Sequence, residues 1–238
     1  MEIGSIDALI LCGGKGTRLK SISKDLPKSL VKINNNPFLL ILLNYIFGFG
    51  FKRIILCAGY RSEYIEKFIQ NFKNDNIKLL LSLEERALGT AGAIKNAENL
   101  ISTDNFLVIN GDTLFKLDYN EFVKFFYDKN AVLSIALLKS FLSKDFGSVD
   151  INGSGKIISF KEKIKDSGIN NYLINSGVYL MNKKLLNFIP VNSNVSLELD
   201  TFPLIIGKLN DDVYGYISEA EFIDIGNPKN YYKALKVL

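Results

Sequence analysis

The chain has 238 residues, 47% of them apolar, enough to bury the core of one large domain or of one domain with a small lobe. Its net charge of +4 is spread without a basic block, which argues against a nucleic-acid-binding surface. The absence of histidine excludes histidine triads and histidine metal sites, so any bound metal is expected to be Mg²⁺ or Mn²⁺ held by oxygen ligands.

The N-terminal residues and the cysteines predict a cellular location. The first residues lack the basic stretch of a secretion signal, and apolar runs such as 38–43 are far shorter than the roughly 20 residues that cross a bilayer. Cys12 and Cys57 each end an apolar run and are expected to be buried and reduced. We therefore expect a cytoplasmic protein without a membrane partner.

Strands alternate with helices in the first half of the chain. Buried apolar runs predict strands and amphipathic segments predict helices. Such alternation is typical of a parallel sheet with right-handed crossovers. The predicted strands are 6–12, 53–58, 77–83 and 106–110, and the predicted helices are 36–48, 62–71 and 90–100.

The pattern changes near residue 118. Strand-like runs then follow one another, and Asn152-Gly153-Ser154-Gly155 is typical of a hairpin turn. The chain is predicted to form a single domain, 1–238, with an α/β, Rossmann-like, mixed and mainly parallel sheet flanked by helices and a small substrate lobe. The predicted helices here are 119–129, 183–188, 197–208 and 228–236, and the strands are 132–138, 146–151, 156–162, 172–181, 214–217 and 222–225.

A glycine-rich loop follows the first predicted strand. Glycines in such a loop let backbone N–H groups approach an oxyanion, while a hydroxyl and basic side chains add hydrogen bonds and charge. This composition predicts a phosphate-binding loop. Its candidate residues are Leu11, Gly13, Gly14, Lys15, Gly16, Thr17 and Arg18, with Lys28 further along the chain.

Two common phosphate motifs fit this loop poorly. A P-loop needs Ser or Thr directly after its lysine, but Gly16 follows Lys15, and Leu9 stands where the first glycine belongs. The dinucleotide fingerprint needs a third glycine where Leu19 stands. A strand and turn without a ligand is a third alternative, but it leaves the charged residues of the turn unexplained.

The segment GGKGTRL at 13–19, followed by Pro27-Lys28, resembles the GGxGTRL…PK signature of sugar-phosphate nucleotidyltransferases. The resemblance continues along nearly the whole chain. It implies the nucleotide-diphospho-sugar transferase type of fold, with a nucleotide-binding half at about 1–118 and a sugar-phosphate half at about 119–238. It also implies that the loop wraps a nucleoside triphosphate and that Arg18 and Lys28 act on its phosphates.

Further motifs carry the same resemblance. Glu84 with Gly89 and Thr90 is similar to the family's base-recognition loop; a helix cap by Thr90 is the alternative, and it does not exclude binding. Asp112, after a predicted strand, and Asp224, in an Asp-x-Gly-x-Pro motif, are similar to the family's two metal-binding carboxylates, with a turn aspartate as the alternative for each. The resemblance therefore implies Mg²⁺, with Mn²⁺ as a substitute, at this pair.

The sugar-phosphate side has its own similar segments. Phe160-Lys161-Glu162-Lys163 resembles the family's F-x-E-K segment, which implies that Glu162 binds sugar hydroxyls and that Lys163 is a catalytic residue facing the sugar phosphate; a charged strand end is the alternative. Gly147 and Asn175 are implied to frame the sugar. The helix that contains Glu198 is expected to be mostly structural.

The segments LCGGKGTRL, LGTAGAI and NGDTLF most resemble the corresponding segments of D-glycero-D-manno-heptose 1-phosphate guanylyltransferases. This implies GTP and a heptose 1-phosphate as partners and a GDP-heptose product for capsule or lipopolysaccharide. Uridylyltransferases acting on N-acetylmuramate 1-phosphate share much of the pattern, and no residue separates guanine from uracil. A non-catalytic nucleotide-sugar-binding protein, a P-loop-like kinase and a homo-oligomer also remain open.

Overall fold

A nine-stranded mixed sheet forms the centre of the computed structural model, which describes residues 2–140, 147–161, 172–208 and 212–238. In chain order the strands are β1 (Asp7–Leu11), β2 (Lys32–Ile33), β3 (Asn36–Pro37), β4 (Arg53–Ala58), β5 (Lys78–Leu83), β6 (Asn105–Asn110), β7 (Thr113–Phe115), β8 (Leu133–Ser140), β9 (Ser148–Ile151), β10 (Ile157–Lys161), β11 (Tyr172–Asn182), β12 (Val213–Ile217) and β13 (Phe222–Asp224). The helices are α1 (Lys20–Ser23), α2 (Phe38–Gly48), α3 (Ser62–Asn71), α4 (Gly89–Asn96), α5 (Tyr119–Asp128), α6 (Phe202–Lys208) and α7 (Pro228–Val237).

The order of the strands joins the two halves of the chain. The sheet runs β10-β9-β11-β6-β1-β4-β5, and β8 pairs with both β11 and β12. Strands β6, β1, β4 and β5 are parallel, whereas β11 runs antiparallel to β6. The mixed sheet flanked by helices confirms the predicted fold class. Because β11 pairs directly with β6, the division near residue 118 does not interrupt the sheet.

Helices cover both faces of the sheet because its central strands are apolar on both sides. In β1, Ala8 and Ile10 belong to the core that α2, α3, α5 and α7 cover, while Leu9 belongs to the core under α4 and α6. Continuous apolar runs of this kind are typical of parallel strands buried on both faces. Cys12 and Cys57 are buried and free, as predicted. No helix in the described part of the chain is long and apolar enough to span a membrane.

Most predicted elements lie within one or two residues of the observed ones, and the Asn152–Gly155 turn joins β9 to β10 as expected. The predicted helix 90–100 was too long, because α4 ends at Asn96 and a 3₁₀ turn follows at Glu98–Leu100. The segment 197–208 begins as a π-helical turn at Leu197–Thr201. Strand β7 was not predicted, because three residues carry no measurable periodicity.

Replacing Arg53 by Met should cost about 3 kcal/mol of unfolding free energy, because it leaves a buried carboxylate without its cation. Asp7 is 2% exposed, and its Oδ2 accepts hydrogen bonds from Arg53 Nη1 at 2.8 Å and Ser102 N at 2.6 Å. Denaturant unfolding measures the loss. The control is Lys124→Met, which breaks the exposed pair with Asp128 and should cost less than about 1 kcal/mol. Equal losses would contradict the role of the buried pair.

Candidate active site

Two adjoining clefts open beyond the carboxyl ends of β1 and β6, where α/β sheets usually bind ligands. The larger has a volume of about 390 Å³ and is lined by the glycine loop; we call it the glycine-loop cleft. The smaller, of about 140 Å³, contains both Asp112 and Asp224; we call it the carboxylate cleft. Asn110 and Asp112 line both clefts and therefore form their shared wall.

The glycine-loop cleft brings together most residues that the sequence assigned to a nucleotide, along with Lys28 and Asp112. Gly16 does not line it, but its φ of +61° is favoured by glycine, and a Cβ there would run into the Lys28 side chain. Thr17 lies outside the lining and starts a 3₁₀ turn at Thr17–Leu19. The predicted nucleotide residues in the wall are Leu11, Gly13, Gly14, Lys15, Glu84, Gly89 and Thr90.

The carboxylate cleft collects residues that the sequence assigned to the sugar, the metal and catalysis. Arg18, although part of the glycine loop, lines this cleft and not the larger one. Gly147 and Asn175 lie in the same wall, and the Asn175 N–H donates to the Gly147 carbonyl at 2.8 Å. The predicted sugar residue Glu162 and the predicted catalytic residue Lys163 lie outside the described residues.

A long-range strand pair brings the two aspartates to one cleft. Strand β7 directly follows Asp112, and β13 ends at Asp224; the two strands pair antiparallel. The Ile225 N–H then donates to the Asp112 carbonyl at 3.0 Å. Gly111 can only be glycine here, because a Cβ would lie 2.6 Å from the Leu11 carbonyl oxygen.

The charges around this pair are unbalanced. Lys28 Nζ lies 3.0 Å from Asp112 Oδ2. Burial and the neighbouring charge of Asp112 raise the pKa of Asp224, although the Gly226 N–H, the Asn230 amide and Lys28 act in the opposite direction. Two adjacent carboxylates with one lysine leave an excess of negative charge, and their oxygen donors suit a hard divalent cation. Among the described residues, no group of three or more His, Cys, Asp or Glu side chains could hold a metal ion.

Asp224→Asn is expected to raise the melting temperature of the metal-free protein at neutral pH. The raised pKa of Asp224 means that its ionised form costs folding free energy above the folded-state pKa, whereas below the unfolded-state pKa the carboxyl is protonated in both states and the cost disappears. In a chain of this size, each gain of about 1 kcal/mol in unfolding free energy corresponds to about 2–4 °C in melting temperature. Thermal unfolding over a pH series measures the difference. A variant that is less stable than the wild type at pH 7, or a gain that persists at pH 3, would contradict this reading.

The base-recognition loop excludes the helix cap that was the alternative role for Thr90. Thr90 does not cap α4: the Ala91 and Gly92 N–H groups donate to the Val195 carbonyl at 3.0 and 3.3 Å. Gly89 and Gly92 are required there, because a Cβ on either would clash with the backbone of 193–195. A segment from the second half of the chain thus builds the wall of the glycine-loop cleft, and Asn194 lines it.

Glu84 is held against the glycine loop. Its Oε2 accepts the Leu88 N–H at 3.0 Å, and burial raises the pKa of the carboxyl. A Cβ at Gly13 would overlap Glu84, so glycine at this position lets the carboxylate enter the cleft wall. The residue was predicted from its motif, and the structure places it beside the loop.

Several lining residues were not predicted. Asn110, Ser29 and Asn194 line the glycine-loop cleft, and Ser176 and Glu198 line the carboxylate cleft. Ser29 follows the predicted Lys28 directly and Asn110 stands two positions before the predicted Asp112, so proximity in sequence was an available signal. Glu198 was expected to be mostly structural, but its side chain reaches a functional wall. Nothing local in the sequence indicates this position.

Comparisons with known proteins identify the family of the chain. Residues 7–238 match the nucleotidyl transferase family. The chain is 38% identical over 233 residues to D-glycero-alpha-D-manno-heptose 1-phosphate guanylyltransferase of Aneurinibacillus thermoaerophilus, covering 98% of both chains. A protein of that name from Campylobacter jejuni is 36% identical, with 97% of this chain and 99% of the relative covered.

Solved structures extend the comparison. HddC from Yersinia pseudotuberculosis, complexed with GMP-PN, superposes with a TM-score of 0.85 at 38% identity, covering 98% of this chain and 99% of HddC. A UTP-bound UGPase from Acinetobacter baumannii, at 19% identity and a TM-score of 0.80, shares the fold. The chain therefore belongs to the nucleotidyl transferase family.

Proposed function

We propose that this protein transfers a guanylyl group from GTP to D-glycero-α-D-manno-heptose 1-phosphate, giving GDP-heptose and pyrophosphate for surface polysaccharide synthesis. The observation that carries the proposal is the pair of adjoining clefts, one with a glycine loop and one with two carboxylates, which share Asn110 and Asp112. The near-full-length relatives named above support the choice of substrates. Such a reaction belongs in the cytoplasm, where nucleoside triphosphates are made.

In this proposal the glycine-loop cleft holds the nucleotide. Backbone N–H groups of Gly13 and Gly14 face the phosphates, as glycine-rich loops commonly do. Glu84 supports guanine, because a carboxylate only accepts hydrogen bonds and the guanine edge offers N1–H and the 2-amino group as donors. Uracil offers a single N–H at the corresponding edge, so the second acceptor would remain unused.

The carboxylate cleft then holds the sugar 1-phosphate, whose phosphate is the nucleophile. This group is anionic at neutral pH and needs no general base, which suits a chain without histidine. It attacks the α-phosphorus in line as pyrophosphate leaves, and positioning and charge neutralisation supply the catalysis. Lys28 and Arg18 lie on the two sides of the shared wall, where they offset repulsion between the two polyanions; Lys163 is proposed to do so at the sugar phosphate.

Asp112 and Asp224 are proposed to hold Mg²⁺ or Mn²⁺. When bound, the cation neutralises phosphate charge at the reacting centre. Lys28 donates a hydrogen bond to Asp112 and so fixes the orientation of this carboxylate within the shared wall. Asn230 and the Gly226 N–H fix Asp224 in the same way, at 2.9 and 2.6 Å.

The test is a matrix of nucleoside triphosphates against sugar 1-phosphates, read by pyrophosphate release in the presence of Mg²⁺. GTP with the heptose 1-phosphate should give the fastest release. Faster release from another pair, such as UTP with N-acetylmuramate 1-phosphate, would overturn the substrates and keep the reaction class. A nucleoside diphosphate product would indicate a kinase, and inactivity with every pair would favour a non-catalytic binding protein.

A further inference from the structure

Glu198 connects the two clefts through its two carboxylate oxygens. Oε2 accepts hydrogen bonds from Thr90 Oγ1 and Ser196 Oγ, both at 2.9 Å, and Thr90 lines the glycine-loop cleft. Oε1 accepts the Tyr179 hydroxyl at 3.3 Å. Glu198 itself lines the carboxylate cleft. A side chain in the wall of the carboxylate cleft thus binds a residue in the wall of the glycine-loop cleft.

Tyr179 carries the connection to the sugar side. Its hydroxyl accepts the Asn175 Nδ2 hydrogen at 2.8 Å, and Asn175 Oδ1 accepts the Gly177 N–H at 3.0 Å. The orientation of the Asn175 amide is therefore fixed by two partners. Asn175 is 8% exposed and lines the carboxylate cleft, so a small rotation of this amide changes what the cleft presents to a ligand.

The local backbone explains why these groups meet. Strand β11 changes register against β8 between Asn175 and Tyr179, and Gly177 there has a φ of +76° with the Asn110 side chain packed against it. Asn175 and Tyr179 stand on either side of this bulge, and the buried Tyr179 ring packs against Phe202 with 5.1 Å between the ring centroids. Because Tyr179 is enclosed, its hydroxyl cannot leave the chain of hydrogen bonds without repacking the core.

We infer that Tyr179 is a positioning residue that couples the two substrates: the hydrogen-bond chain Thr90–Glu198–Tyr179–Asn175 lets a nucleotide in the glycine-loop cleft preorganise the carboxylate cleft for the sugar 1-phosphate. A nucleotide that fixes the N-terminal turn of α4 also fixes Thr90, and through it the carboxylate that orients Tyr179. The inference rests on the proposed function for the identity of the two ligands. Coupling of this kind is reciprocal, so the sugar 1-phosphate tightens nucleotide binding by the same factor.

Tyr179→Phe tests the role while preserving the ring that packs in the core. We expect the KM for the sugar 1-phosphate to rise about 10-fold, with kcat at saturation changed less than about 2-fold, since one tenfold step corresponds to the loss of about one buried hydrogen bond. The matched control is Tyr127→Phe, because the Tyr127 hydroxyl also accepts an asparagine amide hydrogen, from Asn105 at 3.1 Å, and lines neither cleft. This control should leave both constants unchanged.

Binding measurements separate positioning from a general loss of structure. Calorimetry gives the Kd of the sugar 1-phosphate with Mg²⁺, with and without an α,β-methylene analogue of GTP that cannot be cleaved. In the wild type the analogue should lower this Kd about 5- to 20-fold, whereas in Tyr179→Phe and in Thr90→Val the ratio should fall to about 1. The double variant should show no further loss, as residues of one network are non-additive.

Two outcomes would overturn the inference. One is a wild type in which the analogue leaves the Kd unchanged; the other is a folded Tyr179→Phe protein that keeps the full ratio. A failure of the proposed function can be told apart from a failure of this inference, because the pyrophosphate assay tests the proposed function on the wild type alone. If another substrate pair is active there, the same measurements are made with that pair.

Discussion

Asp112→Asn should reduce pyrophosphate release by about 10³-fold in a protein that still folds, because it removes one of two carboxylates proposed to bind the cation. The amide keeps the size of the side chain but loses the charge that Lys28 faces at 3.0 Å. The substitution also removes the charge repulsion by which Asp112 raises the pKa of Asp224. It leaves the proposed cation site with one carboxylate instead of two. Steady-state kinetics over a Mg²⁺ titration, with circular dichroism for the fold, measures both consequences.

A matched control for this change lies at the opposite end of the same strand. Asp104 directly precedes β6 and is exposed, so Asp104→Asn alters the net charge equally without entering either cleft. Its activity should equal that of the wild type. If Asp112→Asn retained more than about a tenth of the wild-type rate at saturating Mg²⁺, Asp112 would have no place in the proposed cation site.

Lys28→Met should lower turnover by about 10²-fold, since it removes a cation from the wall between two polyanionic substrates. Methionine preserves the unbranched stem that packs over Gly16, so the glycine loop keeps its shape. The loss should fall mainly on kcat if the charge acts in the transition state, whereas a rise in KM alone would indicate uniform binding. Kinetics at varied GTP concentration distinguish the two.

Lys32→Met serves as the comparison for Lys28. Lys32 lies in the same stretch of chain, is exposed and lines neither cleft. It should leave kcat and KM unchanged at moderate salt, because salt screens an exposed charge that contacts neither cleft. A similar loss in both variants would show that the effect comes from net charge and not from the position of Lys28.

The sequence alone predicts the features that depend on residues close to one another along the chain. Strands β1, β4, β5 and β6 are continuous apolar runs that end in turns, so their period and length identify them. The phosphate loop was recognisable because glycines and basic residues stand together within a few positions. Most residues predicted for the nucleotide, between Leu11 and Thr90, accordingly line the glycine-loop cleft.

The remainder depends on contacts that no local pattern records. The hydrogen bond from Thr90 to Glu198 spans 108 positions, and only the packing of 193–195 on α4 brings these residues together. For the same reason the sequence left a Thr90 cap open as an alternative, whereas the Val195 carbonyl accepts the N–H groups of Ala91 and Gly92. Strand β7 is too short to be identified from its sequence, yet its pairing with β13 places Asp224 beside Asp112.

That β7–β13 pair also determines when the site is completed during synthesis. The parallel strands β1, β4, β5 and β6 have all been synthesised once the ribosome has added Asn110. N-terminal segments generally fold first. The second carboxylate and the strand that carries it follow more than a hundred residues later. A nascent or prematurely terminated chain that lacks β13 therefore holds Asp112 without Asp224. In the proposed function, such a chain lacks one of the two carboxylates of the cation site until β13 docks.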